Sequence, residues 1–510
     1  MLHSQLTSTE MVQDLNKARP HFSHPIGFAG ILAPHHEGGA ENMAKSKSTK
    51  AQQASVFEGL DQDEQEQLAI IKASLQTIQH YFGRMAKLFG AVNDPRVPYL
   101  ITYPLEALAF AGVLMFLCRL GARRQIALMF RRNGASATKF QALFNVDTCP
   151  HGDTLDAVFG RVNPEQVQRV VTGMVRTLIR KKVLDRFRLL GWYFVIAMDG
   201  TGRLTFPERH CPHCLTRTQH GKTTYYHPVL EAKLLLSNGF AFSIMTEFIE
   251  NPGEHPTKQD CELKAFYRLS KQLKQAFPRL PICLSLDGLF AGGPTMTICE
   301  QYRWKYIIVL QEDDLPSVNQ EFNAVLPLAP ENHLSFRTGP QNKTHQDYRW
   351  INDISYKDSK RNEHTLAVLE CTESKSDSDR QRQTTRFKWI TNFAIKAKQV
   401  TALASQGGRI RWKIENEGFN VQKNGGFALE HAYTRDHTAS KVFYLLLQIA
   451  HLIAQLIEKG SLFRKAFPAG VGSAKNIAFR LLEAWRNLRV RPEHLHQVLS
   501  ERVQIRLDSS

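Results

Sequence analysis

The stretch YFVIAMDG spans residues 193–200 and gives the clearest indication of the fold. Its first six residues are apolar or aromatic, which predicts a buried strand of a parallel or mixed sheet. We expect that strand to end at Asp199, the first charged residue after the run. A second apolar run, ICLSL at 282–286, ends in the same way at Asp287. Carboxylates at the ends of neighbouring buried strands can share divalent metal ions.

The segment between these acids predicts a definite order of elements. Ser237-Asn238-Gly239 indicates a tight hairpin, because Asn-Gly accommodates the positive φ angles of such a turn. The predicted elements are strands at 193–198, 229–236 and 240–249, a helix at 257–277, a strand at 282–286, a helix at 294–302 and a strand at 305–310. With right-handed parallel crossovers, this α/β order is similar to the ribonuclease H-like fold. In that fold the first and fourth strands are neighbours and hold their carboxylates side by side.

A third acid comes from the segment RWKIE at 411–415. On a helix, Arg411 and Glu415 lie about 40° apart, whereas Glu417 lies about 200° from Glu415. If Glu415 faces the aspartates, Glu417 faces elsewhere, so Glu415 is the candidate. Lys423 lies about 80° round from Glu415, within reach of a phosphate bound beside the acids. A competing acidic run, Glu312-Asp313-Asp314, leads into Leu-Pro and is better explained as a helix start or a solvated surface.

The composition is basic, with a formal net charge of +17 and a pI near 9.5. A positive field of this size attracts polyphosphate and accelerates encounter with nucleic acid. Charge alone is weak evidence, since many soluble proteins are basic for other reasons. A basic protein with a cluster of acids at strand ends is, however, typical of metal-assisted chemistry on phosphate.

The sequence also predicts where the protein resides. The most apolar windows, 107–118 and 442–457, are too short or too interrupted by polar residues to span a bilayer. The first thirty residues lack the apolar core of a signal peptide. The eight cysteines are scattered, which favours a reducing compartment over a disulfide framework. We expect a soluble, cytoplasmic protein with no membrane partner.

Composition and periodicity divide the chain into five parts. These are a disordered tail at 1–56, a helical and DNA-binding region at 57–190, a catalytic core at 191–311 and 406–436, a β-rich insertion at 312–405, and a C-terminal helical region at 437–510. A basic amphipathic helix is predicted at 123–132, followed by an Asn-Gly turn and another helix. Its exposed arginines would contact DNA: Arg123, Arg124, Arg131 and Arg132. A helical packing domain with a solvated basic face explains the pattern equally well.

The segment HCPHC at 210–214 contains residue types that bind zinc. With the histidines downstream, the candidate ligands of a structural Zn²⁺ are Cys211, Cys214, His220 and His227. A reduced loop with ordinary thiols is the more common alternative, because no second Cys-x-x-Cys completes the set.

Three motifs together resemble one family. DGT at Asp199, DGLFA at Asp287 and RWKIE ending at Glu415, after a β-rich segment, are similar to motifs of bacterial insertion-sequence transposases of the DDE type. Within these the chain resembles the Tn-five-like (insertion sequence four) superfamily, over about residues 90–480. The superfamily's Tyr-Arg-Glu-Lys signature would fall on Arg411, Glu415 and Lys423. There are two departures: Gly408 stands at the tyrosine position, and Lys423 comes one residue late.

The resemblance implies an activity. Asp199, Asp287 and Glu415 would hold two Mg²⁺ ions, for which Mn²⁺ can substitute, while Arg411 and Lys423 would position phosphates. The enzyme would cut the ends of a DNA element by hydrolysis and join the freed 3′-OH ends to target DNA. It would act as a dimer on double-stranded DNA. The helix at 441–456 is apolar on nearly every face, and it is therefore a candidate dimer surface or a core helix.

Two other functions are consistent with parts of the sequence. One is a non-catalytic, repressor-like relic of a transposase, against which the intact acids argue. The other is a purely hydrolytic ribonuclease H-like nuclease, which does not need large flanking helical regions. Trp389 or Trp412 could stack on a flipped base, as tryptophan does in related transposases, but we expect both to pack in the core.

Overall fold

The computed structural model describes residues 60–507 except 84, 133, 255 and 377–381. The tail predicted at 1–56 lies outside these residues. The chain from Leu60 onward forms one compact unit. It is a mixed α/β structure in which helices from both ends of the chain pack against one large open sheet. The α/β class expected from the sequence is confirmed.

The N-terminal region is helical, as predicted. Its helices are α1 (Gln62–Phe82), α2 (Met85–Phe89), α3 (Leu105–Leu117), α4 (Gly134–Phe144), α5 (Gly152–Phe159) and α6 (Pro164–Arg180). Asp61 and Glu64 form a capping box at the start of α1. Asn163 caps α6, with Pro164 in the first turn. Side chains that satisfy the free N–H groups of a first turn thus fix where these two helices begin.

The basic segment 123–132 is helical over a shorter range than predicted. Turns occupy 123–124, and the helix covers 125–131, with π geometry over Ala127–Arg131. Arg123 forms ion pairs with Asp153 and Asp156, and Arg131 donates a hydrogen bond to the carbonyl of Cys149. These tertiary contacts outweigh the local helical preference, which is a weak determinant by comparison.

The strands are β1 (Phe194–Phe206), β2 (Leu215–Gln219), β3 (Lys222–Leu235), β4 (Ala241–Phe248), β5 (Ile282–Leu286), β6 (Lys305–Val309), β7 (His333–Thr338), β8 (Thr344–Lys357), β9 (Glu363–Ser376) and β10 (Arg382–Thr391). In the described part of the chain they form one sheet in the order β2-β3-β1-β5-β6-β10-β9-β8-β7, with β4 also paired to β3. β1, β5 and β6 run parallel, and the other pairings are antiparallel. The crossovers contain α7 (Glu262–Ala276) and α8 (Gly293–Tyr302).

Most elements predicted between the two aspartates are present. The turn at 237–239 joins β3 to β4, and the expected adjacency of the first and fourth predicted strands is confirmed by the parallel register of β1 with β5. One boundary is wrong: β1 does not end at Asp199 but continues to Phe206. It continues because β3 pairs with it antiparallel on both sides of Asp199. The sequence pattern also misses β2, a short strand with mostly exposed side chains.

The insertion at 312–405 is β-rich, as predicted, but it extends the sheet rather than forming one of its own. β10 pairs antiparallel with β6, and β9, β8 and β7 follow in order. An additional helix, α9 (Pro316–Val325), precedes β7. The acidic run at 312–314 leads directly into α9, which agrees with its interpretation as a helix start.

Residues 397–424, here named the irregular helix, connect the sheet to the C-terminal region. They alternate α, 3₁₀ and π turns, including the π segments Leu403–Gly408 and Ile414–Asn420. The following helices are α10 (His437–Lys459), α11 (Ser461–Ala466), α12 (Ala474–Asn487) and α13 (Pro492–Ser500). Mid-helix departures from α geometry are frequent at functional sites.

Helix α10 lies in the core. By length and composition it is the one helix in the described chain that could cross a membrane, yet 89% of its most apolar window is buried inside the molecule. Its polar residues bond inward: Gln448 accepts from Lys233, and Gln455 accepts from the backbone N–H of Ala241. The suggestion that 441–456 is a dimer surface is therefore wrong, because the same chain already covers this helix.

Candidate active site

Asp199 and Asp287 lie at the same end of two neighbouring parallel strands. The parallel register of β1 with β5 ends at Ala197 and Ser285, two residues before each aspartate. Because side chains alternate along a strand, Asp199 shares a sheet face with Ala197. Asp287 follows β5 and starts a short 3₁₀ helix, where its Oδ1 accepts a hydrogen bond from the N–H of Gly288 at 2.7 Å. Sheet topology thus places the two acids at adjacent strand ends, on the same edge of the sheet.

Arg411 joins the third acid to the first. Its Nη1 lies 3.0 Å from Oε1 of Glu415, one helical turn on, and 3.4 Å from Oδ2 of Asp199 on β1. The guanidinium is buried, while the side chain of Glu415 is half exposed. A buried cation is stable only when it is paired, so Arg411 fixes the position of the irregular helix over the end of β1.

The environment of Asp199 changes its acidity. Burial raises the pKa of Asp199 to about 6; Arg411 opposes the shift, whereas Glu415 and Glu262 add to it. A carboxyl with this pKa titrates between about pH 5 and pH 7, well above the ordinary range of an aspartate. Perturbed groups of this kind cluster at functional sites.

Glu262 is a fourth acid that sequence reasoning missed. It is the first residue of α7, and its carboxylate packs so closely on Gly200 that a Cβ there would lie 2.0 Å from its Oε1. Burial raises the pKa of Glu262, and the charge of Asp287 raises it further. Glu262 therefore interacts electrostatically with both aspartates. The sequence around Glu262 gives little indication of a functional role. Acids are common in the first turn of a helix because they interact favourably with the helix dipole.

Two other predicted or competing side chains are paired away from the acids, whereas a third lies beside Asp287. Glu417 forms an ion pair with Lys413 at 3.1 Å, which agrees with the prediction that it faces away from Glu415. Lys423 forms an ion pair with Glu430 at 2.8 Å. Its ammonium group is therefore paired with an acid outside the cluster. Asp314 accepts a hydrogen bond from the N–H of Gln311 at 3.1 Å, and its Oδ2 also lies against Gly288, where a Cβ would be 2.7 Å away. This competing acid therefore lies beside Asp287.

The four carboxylates have the ligand type that a hard divalent cation requires, but they are widely spaced. Asp199, Asp287, Glu415 and Glu262 offer oxygen ligands only, which suits Mg²⁺ or Mn²⁺. Among the residues that the structure describes, no three of them bring oxygens within 4.8 Å of one another. Arg411 lies between Asp199 and Glu415 and neutralises part of their charge. In this arrangement no single ion could contact three of the four carboxylates.

The two tryptophans differ in environment. Trp389 is buried and stacks on Phe387 with ring centroids 5.9 Å apart. Its indole fills the space beside Gly408, where a Cβ would lie 2.5 Å from the ring, so this fold has no room for a side chain at position 408. Trp412 is 57% exposed, next to Arg411, and the expectation that it packs in a core is wrong.

Basic side chains form a separate groove. It is lined by Arg132 before α4, by Arg486 in the last turn of α12, and by Arg489 and Arg491 after that helix. All four are exposed, and no ion pair involves them within the described ranges. Arg124 and Arg131 are exposed as well, whereas Arg123 is held by Asp153 and Asp156. The predicted cluster at 123–132 is thus divided, and only part of it faces solvent.

The predicted zinc ligands are brought together in part. Cys211, Cys214 and His227 meet at the far end of β1 and β3, but His220 lies exposed in the β2–β3 turn. His210 occupies the fourth position instead, with Nδ1 3.4 Å from Sγ of Cys214. Sequence spacing could not distinguish these histidines, because the pairing of β1 with β3 decides which one faces the thiols.

Comparison with known proteins is negative: no family model matches the chain, and no curated protein matches it. What can be inferred about function therefore depends on the residues and their geometry.

Proposed function

We propose that this protein is a metal-dependent DNA transposase of the DDE type, with Asp199, Asp287 and Glu415 as its acids. The observation that carries the proposal is the ion-pair network in which Arg411 holds Asp199 and Glu415 beside the strand that ends at Asp287. We also propose that the sheet and its crossover helices form a catalytic core of the ribonuclease H-like type. The adjacency of β1 and β5, the first and fourth predicted strands, supports that choice of core.

The residues of the site suit phosphodiester chemistry. Two divalent ions, when bound, would polarise the scissile phosphate and activate the attacking oxygen. Arg411 can exchange its carboxylate partners for a phosphate, since guanidinium binds both anions in the same forked geometry. That exchange would free Asp199 and Glu415 as ligands at the moment when DNA supplies the compensating negative charge. Exposed Trp412 lies on the same segment and is available to stack on a base.

The same site would then serve for joining. After hydrolysis, the freed 3′-OH of the element replaces water as the nucleophile and attacks a phosphate of target DNA. The bond from that phosphate to the target's 3′ oxygen breaks and a target 3′-OH leaves, so no covalent protein intermediate is needed. The arginine groove of Arg132, Arg486, Arg489 and Arg491 would bind the DNA backbone outside the site. The excess of positive charge over the whole chain supports the same partner.

One assay distinguishes this function from its alternatives. Purified protein is incubated with Mg²⁺ and DNA that carries the sequences flanking its gene, and binding, end cleavage and joining to a plasmid are scored. Cleavage followed by joining supports the transposase. Binding without cleavage in either Mg²⁺ or Mn²⁺ would identify a repressor-like relic, and cleavage without joining would identify a hydrolytic nuclease.

The third acid has its own test. Glu415→Gln should reduce cleavage roughly 100-fold or more, because removing a ligand's charge costs several kcal/mol of transition-state stabilisation. Glu417→Gln should stay within about threefold of wild type, since Glu417 pairs with Lys413 on another face of the irregular helix. Cleavage rates at saturating Mg²⁺ measure both. An inactive Glu417→Gln beside an active Glu415→Gln would contradict the assignment.

Assembly is expected on DNA. Both ends of an element must be cut together, and in related enzymes each end is cleaved by the subunit bound mainly to the other. We therefore expect a monomer or a weak associate in the absence of DNA, and a complex of two subunits with two end fragments when paired ends are present. Light scattering measures the mass. A stable one-subunit complex that cuts both strands of a single end at full rate would contradict this expectation.

A further inference from the structure

The strongest metal-binding geometry in the described chain lies away from the carboxylates. The ligand atoms of His210, Cys211, Cys214 and His227 all lie within 4.8 Å of one another. The two Sγ atoms are 3.5 Å apart, and Nε2 of His227 lies 3.4 Å from Sγ of Cys211 and 3.3 Å from Sγ of Cys214. Both cysteines are free thiols. Their sulfur separation is far longer than the roughly 2 Å of a disulfide bond.

These separations match the edges of a zinc tetrahedron. Zn–S bonds of about 2.3 Å and Zn–N bonds of about 2.0 Å give edges of roughly 3.8 Å between sulfurs and roughly 3.5 Å between sulfur and nitrogen. The observed edges are shorter by a few tenths of an ångström at most. We propose that His210 Nδ1, Cys211 Sγ, Cys214 Sγ and His227 Nε2 bind a structural Zn²⁺.

The surroundings suit this ion. Two thiolates balance the charge of Zn²⁺, so the occupied site is neutral. A neutral site does not repel the guanidinium of Arg203, which is buried close to His227. Cys214 and His227 are buried, while His210 packs its ring on Phe206 at a centroid distance of 4.0 Å. With four protein ligands the site leaves no open position, and such sites are structural rather than catalytic.

The location indicates what the ion would hold together. His210, Cys211 and Cys214 lie in the connection between β1 and β2, whereas His227 lies on β3 opposite Leu204 of β1. The ion would fasten this connection to the sheet. Along β3, His227 is four residues from Glu231, the register partner of Asp199, a separation of about 13 Å. The zinc site and the carboxylate site are therefore distinct, with different ligand chemistry.

A second grouping nearby is the competing site. His227, Glu250 and His437 also bring ligand atoms within 4.8 Å of one another. Glu250 is already engaged there, because it forms ion pairs with both His437 and Lys441. The set with two thiols has the softer ligands, and its cysteines form no ion pair with a described residue that the metal would have to displace. Zn²⁺ should therefore prefer this set.

Metal content of the purified full chain tests the proposal without reference to any DNA activity. Wild type should contain about one zinc per chain, and cobalt substitution should give the intense visible bands of a tetrahedral thiolate site. Cys214→Ser and His210→Asn should lose the metal. His220→Asn, at the histidine favoured by the sequence, and Cys261→Ser, an exposed thiol, are matched controls that should keep it, as should His437→Asn.

The outcomes that would overturn the site are equally definite. Wild type without zinc and without a cobalt spectrum would do so, as would a disulfide between Cys211 and Cys214 found by thiol counting. Loss of metal from His437→Asn or His220→Asn, with retention in His210→Asn, would reject this ligand set. If the cysteine variants do not fold, mercurial modification of wild type serves instead: zinc should be released in step with two thiols, and release independent of thiol modification would contradict the proposal.

Discussion

Asp287→Asn should abolish DNA end cleavage while leaving the fold and DNA binding nearly unchanged. The substitution keeps the shape of the side chain and removes the charge that a metal ion needs. A loss of about 4 kcal/mol of transition-state stabilisation corresponds to a rate lower by roughly 1,000-fold. The hydrogen bond from Gly288 to Oδ1 can be kept by the Asn amide oxygen, so the local turn should survive.

The chain offers a matched control for this variant. Asp313→Asn makes the same chemical change at an exposed aspartate in the neighbouring acidic run. It should cleave at the wild-type rate. Cleavage rates at saturating Mg²⁺, with gel-shift affinity and circular dichroism as checks on binding and folding, decide the matter. Wild-type cleavage by Asp287→Asn would reject the proposed active site.

Asp199→Asn should make the metal-free protein more stable at pH 8 and leave its stability almost unchanged at pH 4. Burial raises the pKa of Asp199 to about 6 from the ordinary aspartate value of 3.8. A raised folded-state pKa means that the stabilising contribution of the neutral form is present at low pH and is lost as pH rises from about 4 through 6. Two pKa units correspond to about 3 kcal/mol, the largest gain expected.

Urea unfolding of both proteins in EDTA, at pH 4 and pH 8, measures this difference. The difference between the two free energies of unfolding cancels the contributions of the other groups that titrate in the same range. Asp313→Asn, at an exposed site, should show no such dependence on pH. Equal stability differences at both pH values would show that Asp199 is not held in the buried environment described here. Added Mg²⁺ at pH 8 should reduce the gap by stabilising wild type, because a bound cation favours the charged carboxylate.

Local sequence determined the elements on which the site depends. The apolar runs ending at Asp199 and Asp287 predict strands because buried parallel strands need side chains that are apolar on both faces. The turn at 237–239 and the cap at Asn163 follow from backbone chemistry within a few residues. The opposite facing of Glu415 and Glu417 follows from helical periodicity, and their separate ion pairs agree with it even in a π-helical segment.

Tertiary structure decided what depends on residues distant in sequence. Glu262 approaches Asp199 only because α7 starts against Gly200, and β1 passes Asp199 only because β3 is long enough to pair with it. His210 replaces His220 among the thiols because strand register, not spacing, sets which ring faces them. Arg123 pairs with Asp153 and Asp156, and α10 is buried in the core, because of contacts with segments that are distant in sequence. Local pattern fixes an element and its faces, whereas the free energy of long-range burial and ion pairing selects the partners.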